Sequence, residues 1–150
     1  MAATLKINQR GAAFCRAVEV AMTTSRSTVA ESLRRLEREV SAWPGVEVRH
    51  HRTGCTQFRS PHGEVGHLHR GGLLDVPFPR ELRDRLVSKG QARPHHVMPA
   101  SGWVSYQVSG EKELPGALAL LRLSYECHGL AGAPQPAGPV AQTPQGPQID

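Results

Sequence analysis

Cys55-Thr56-Gln57-Phe58-Arg59-Ser60-Pro61-His62-Gly63-Glu64-Val65-Gly66-His67-Leu68-His69 is the stretch on which the fold turns. Ser60-Pro61-His62-Gly63 carries proline second and glycine fourth, the composition of a tight turn. The flanks then read as two strands of an antiparallel hairpin. A strand sends alternate side chains to opposite faces. Over Glu64 to His69 this predicts Val65, His67 and His69 on one face, with Glu64, Gly66 and Leu68 on the other. Two imidazoles therefore point the same way.

Upstream, Val46, Val48 and His50 alternate with Glu47 and Arg49 as a further strand. Before it, Thr28 and Glu31 match a capping box, and Val29, Leu33, Leu36 and Val40 recur at helical spacing. That helix stops near Trp43-Pro44-Gly45, because the residue before proline is biased away from helix. Arg34, Arg35, Glu37, Arg38 and Glu39 fall on its solvated faces. Downstream of Gly71-Gly72, Leu73 to Phe78 is strand-like, and Pro79 opens a helix carrying Leu82, Leu86 and Val87 that Lys89-Gly90 closes. His95 to Pro99 and Trp103 to Val108 read as two more strands joined through Ala100-Ser101-Gly102. Pro115 to His128 is a largely buried helix, with Leu118, Leu121 and Tyr125 on one face and Leu120 and Leu123 widening it. This order predicts a single α+β domain, an antiparallel sheet with helices packed on one face.

The domain is expected over residues 28–129. Residues 1–27 carry Lys6, Arg10 and Arg16 and read as a flexible or misassigned N-terminus, with Met22 as an alternative start and an organellar presequence as the sharper alternative. Residues 130–150, rich in Pro, Gln and Gly, lack periodic apolar residues and are expected to be a disordered tail.

The formal charge of +5 and pI near 9.6 rest on 18 basic and 13 acidic residues scattered along the chain. Without a Lys/Arg block this is no footprint of nucleic acid or of an anionic surface. Three cysteines, Cys15, Cys55 and Cys127, without CxxC spacing argue against a disulfide framework and a cysteine-built zinc site. No stretch approaches the roughly 18 apolar residues that span a bilayer. A soluble cytoplasmic protein with no membrane partner is expected.

His67, His69, Asp75, His95 and His96 stand within otherwise apolar sequence, where polar groups need partners or a task. His67 and His69 could share one cation, with either His95 or His96 of a regular strand as a third nitrogen and Asp75 as an oxygen ligand or an outer partner. His67, His69 and His95 as ligands would leave a position open for water, as at a zinc or non-haem iron centre. Hydrolysis or oxygen chemistry would follow. Without metal, His67 or His95 could act as general base oriented by Asp75, in a pocket floored by Trp103 and Tyr106, with His96 and Ser101 completing the contacts to a small-molecule ligand. Cys55 and Cys127 read as small core residues. A non-catalytic reading places Arg70, Arg80, Arg83, Arg85 and Arg93 with Trp103 on a basic, aromatic face for nucleic acid. Its plain counterpart is a solvated arginine-rich surface.

The succession Trp43-Pro44-Gly45-Val46, Gly63-Glu64-Val65-Gly66-His67-Leu68-His69, Leu74-Asp75-Val76-Pro77-Phe78-Pro79, Pro94-His95-His96-Val97, Ser101-Gly102-Trp103-Val104-Ser105 and Leu121-Arg122-Leu123-Ser124-Tyr125-Glu126 resembles the luciferase-domain, or luciferase-like, family of small bacterial proteins. The resemblance spans about residues 28–128. It implies a family label and no particular catalytic residues. The C-terminal half, with Gly102-Trp103 and Ser124-Tyr125-Glu126, is also similar to YjbR-like proteins, a compact α/β fold sometimes described as DNA-binding. The His-x-His segment and the second histidine pair depart from that group.

Overall fold

A computed structural model describes residues 29–131, and their side chains as far as residue 129. Thr28, the N-terminal segment and the C-terminal tail lie outside the described residues. Helix α1 runs over residues 29–41, followed by β1 (Glu47–His50), β2 (Thr56–Ser60), β3 (Gly63–Leu68) and β4 (Leu73–Pro77). Helix α2 (Arg80–Ser88), β5 (Arg93–Pro94), β6 (Trp103–Gln107), a single 3-10 turn (Glu111–Glu113) and α3 (Leu114–Ala131) complete the domain. The strands form one antiparallel sheet in the order β1-β2-β3-β4-β6-β5. The α+β architecture expected from the sequence is the one observed.

The apolar face of that sheet carries all three helices. Leu36 and Val40 of α1, Leu86 of α2, and Leu114, Ala117, Leu120 and Leu121 of α3 share one core with Phe58, Val65, Leu74, Val76 and Val104. Buried apolar area is the main stabilising term for such a layer. Ion pairs Arg34–Glu31 and Arg35–Glu39 lie one turn apart on the solvent side of α1, as its charge pattern implied. Gly90, at φ 67, closes α2: its N–H reaches the Val87 carbonyl, and the Gln91 N–H reaches that of Leu86.

Helix α3 corrects its expected face. The fully buried stripe is Leu114, Ala117, Leu121, Ser124 and His128, while Leu118, Leu123 and Tyr125 are only partly covered. Ser124 tolerates burial because its hydroxyl donates to the Pro77 carbonyl at 3.2 Å, and Tyr125 reaches outward to donate to the Pro44 carbonyl at 2.7 Å.

The β3–β4 turn joins the sheet's centre to its far side. Gly72 adopts φ +83, and a Cβ there would lie 2.2 Å from the Val108 carbonyl oxygen, which belongs to the backbone and cannot rotate away. Gly72→Ala is expected to cost about 2–4 kcal/mol of unfolding free energy, from a strained φ and an overpacked contact together. Urea denaturation measures it; a loss below about 1 kcal/mol would mean that the turn relaxes.

Candidate functional site

The face away from the helices holds a row of cross-strand neighbours: Gln57 opposite His67, His67 opposite Asp75, Asp75 opposite Ser105, and Ser105 opposite Arg93. Such neighbours stand about 4.5–5.5 Å apart on one face. A β-bulge between the Phe58 and Arg59 pairings makes Val65 an extra residue, so Phe58 faces Gly66 while Arg59 faces Glu64. The bulge corrects the alternation expected for β3. Val65 joins the apolar core, and Glu64 turns to the histidine face, where its carboxylate accepts the Nδ1–H of His67 at 2.8 Å.

Residues 95–101 form a loop, where a strand was expected over His95 to Pro99; β5 is only Arg93–Pro94. The reason is a local set of hydrogen bonds that competes with the ladder. Nδ1 of His95 accepts the amides of Val97 (3.2 Å) and Met98 (3.0 Å), and Ser101 binds the Met98 carbonyl through both its amide and its hydroxyl. Arg80 and Arg83 of α2 donate to the Ala100 and Pro99 carbonyls and clamp the loop from outside. Freed from strand alternation, both His95 and His96 reach the site, which a regular strand would forbid. Arg83→Ala should loosen the clamp by about 1–3 kcal/mol. Faster hydrogen exchange at the Val97 and Met98 amides would show it; unchanged protection would contradict the clamp.

Asp75 is the hub. It is wholly buried, its Oδ1 accepting the Ser105 hydroxyl and its Oδ2 lying 2.8 Å from His69 Nε2, 3.3 Å from His67 Nε2 and 3.5 Å from His95 Nε2. His96 Nδ1 is 3.5 Å from Oδ1. Burial alone would raise the carboxyl's pKa, but hydrogen bonds from His67, Ser105 and His69 hold it well below the usual carboxylate range. Burial likewise opposes charge on His67, yet the carboxylates of Asp75 and Glu64 outweigh it and raise its pKa to about 9. His95 goes the other way, lowered first by burial and then by its histidine neighbours against the pull of Asp75. The centre at neutral pH is thus a buried carboxylate, an imidazolium held between two carboxylates, and a neutral imidazole.

These groups open onto a cleft of about 790 Å³, walled on its far side by His51, Arg52, Thr53 and Cys55 of the β1–β2 turn. Trp103, 1% exposed, packs its ring 5.2 Å from that of His67 and floors the cleft as expected. Tyr106 does not reach it: one residue on from Ser105, it points to the helix side beside Gly116 and Leu120. Ser101 is used in closing its own loop and does not line the cleft. Cys55 lines it with a thiol pKa raised by burial, then by the charges of Glu64 and Asp75, which makes a poor nucleophile. Glu64 and Ser105 were not anticipated. Two-residue spacing from Trp103 would have found Ser105; nothing in the alternation signals Glu64.

The metal-capable groupings also differ from the sequence expectation. Ligand atoms of His67, Asp75 and His95, and separately of His69, Asp75 and His96, lie within 4.8 Å of one another. His67, His69 and His95 do not form such a set. His95 is a poor ligand, because a neutral imidazole bound through Nε2 must carry its proton at Nδ1, where two amide N–H groups already point.

Residues 62–124 match the family model described as Luciferase domain. These residues belong to the luciferase-domain family. The luciferase-domain segment contains Glu64, His67, His69, Asp75, His95, His96, Trp103 and Ser105, so the whole histidine face lies inside it, whereas the β1–β2 wall of the cleft precedes it. The match lends no support to the YjbR-like similarity. No curated protein and no solved structure matches the chain significantly. No helix among the described residues is long and apolar enough to cross a membrane.

Proposed function

We propose that this luciferase-domain chain is a small acid–base enzyme that removes a proton from a small organic substrate, with His69 as the base and Asp75 as its orienting partner. The observation that carries the reading is the His69–Asp75 pair. The buried carboxylate takes the Nε2–H of His69 at 2.8 Å, and among the described residues the ring's Nδ1 has no hydrogen-bond partner, on a residue that lines the cleft. Such a carboxylate fixes the tautomer and stabilises the imidazolium that forms on proton uptake. His67 stays protonated and supplies a fixed positive charge beside the developing anion. His67 as the base, the reading weighed with His95 from the sequence, is disfavoured because both its nitrogens already face carboxylates.

The test is proton exchange on a panel of enolisable ketones, esters and phenols in heavy water. Deuterium incorporation above the uncatalysed rate supports the reading; none across the panel contradicts it.

A second reading has its own observation. His69, Asp75 and His96 offer two nitrogens and one carboxylate at the open side of the cleft, the donor set of a zinc or non-haem iron site with free positions. Such a metal would act as a Lewis acid on substrate or water. Metal content of protein purified without chelator tests this: stoichiometric zinc or iron, lost in the His69→Ala/His96→Ala variant, would favour it over the acid–base reading. Binding of nucleic acid draws less support, because Arg80 and Arg83 spend their guanidinium groups on the loop carbonyls.

A further inference from the structure

Among the described residues, His95 is a fully buried cleft residue whose hydrogen bonding is left incomplete. Its ring is 1% exposed, and among the described residues its Nε2 is a buried side-chain nitrogen with no hydrogen-bond partner. Asp75 Oδ2 lies 3.5 Å away without forming a bond, and it already faces His69 and His67. Buried polar atoms are nearly always satisfied, so an unpartnered one in a residue that lines the cleft calls for a ligand.

The chemistry of that atom is settled by the other side of the ring. Nδ1 accepts two backbone amides, from Val97 at 3.2 Å and Met98 at 3.0 Å, so its lone pair is taken and the ring proton sits on Nε2. A protonated Nδ1 would set three N–H groups against one another. Nε2 is therefore a donor, and its complement is an oxygen acceptor. The loop that sets this tautomer is itself clamped by Arg80 and Arg83, so the donor is held in place before any ligand arrives.

We propose that His95 Nε2–H binds the oxygen of a substrate carbonyl or phenol, next to the proton that His69 removes, which makes the substrate class enolisable carbonyl compounds and phenols. The assignment rests on the acid–base reading for its reaction and on His95 alone for its binding. As His69 Nδ1 takes the proton from carbon or from the phenol oxygen, the electron pair left behind moves onto this oxygen, and the hydrogen bond to His95 shortens as the oxygen becomes anionic.

The probe is para-nitrophenol, an oxygen acid whose absorbance reports ionisation, added to the full chain in chelator. Nitrogen-15 histidine spectra of the free protein should show His95 with its proton on Nε2, and saturation with the probe should shift that signal downfield. His95→Asn leaves an oxygen close to where Nδ1 stood, so the Val97 and Met98 amides keep an acceptor while the Nε2–H is gone. This variant should bind para-nitrophenol at least about tenfold more weakly, as loss of a hydrogen bond to an anion implies. A proton on Nδ1, a probe that does not bind or does not move the His95 signal, or unchanged affinity in His95→Asn would each overturn the assignment. The underlying reading fails separately. Probe binding as described, with no proton exchange on any compound, would keep His95 as an acceptor-binding donor and remove His69 as base.

Discussion

Asp75→Asn is expected to lower the unfolding free energy by about 3–5 kcal/mol, the usual cost of breaking a buried ion pair by removing one partner. The side chain has no exposure, and it accepts from the Ser105 hydroxyl and from His69 while lying beside His67 and His95. Asparagine keeps the shape but has only one acceptor oxygen, and its NH2 group must face donors on one side. The protonated His67 would then be left with Glu64 alone, so its pKa should fall from about 9 toward the ordinary histidine value. Urea denaturation gives the first number and histidine NMR the second. A stability loss under about 1 kcal/mol would mean that Asp75 is not the electrostatic centre of this face.

The metal-free protein should also lose stability as pH rises from 6.5 to about 9. The folded-state pKa of His67 lies above its unfolded value, so the folded chain holds this proton more tightly. Its contribution is complete below pH 6.5 and is gone once pH passes the folded value near 9. Asp75 behaves oppositely: its depressed pKa stabilises the fold above the ordinary value of 3.8, and that contribution disappears as pH falls below it. For these two groups the stability maximum lies between those limits. His67 is 12% exposed, so screening is modest and the alkaline loss should be on the order of 2–3 kcal/mol. The Asp75 and His67 shifts describe one interaction from its two ends, so Asp75→Asn should flatten most of the alkaline slope. Denaturation midpoints across this pH range, taken in chelator, check both statements. A midpoint that rises between pH 6.5 and 9 would reverse the assigned sign.

Much of the fold was legible because it follows from repeating geometry. The stripe Leu33, Leu36 and Val40 placed α1, the Ser60-Pro61-His62-Gly63 turn placed the hairpin, and Pro79 and Gly90 bounded α2 to within a residue. What alternation cannot show is a place where it stops. One extra residue at Val65 moved Glu64 to the histidine face, and one imidazole accepting two amides turned an expected strand into the loop that carries His95 and His96. The cluster of His67, His69, Asp75 and Trp103 was therefore legible in the sequence, while its wiring was not. Tyr106 was misplaced by one step of the strand period, and Ser105 was missed by the same step. The buried face of α3 was hidden because Ser124 and His128 are polar residues satisfied within the core.

The most direct measurement is the rate of deuterium incorporation into an enolisable substrate from the panel, in chelator, for the native chain and for His69→Gln. Chelator should leave the native rate unchanged, and His69→Gln should lower it by about 10²–10⁴-fold, the usual contribution of a general base. Equal rates in the two proteins would remove His69 as the base. A native rate abolished by chelator would show instead that the histidine face works through a metal.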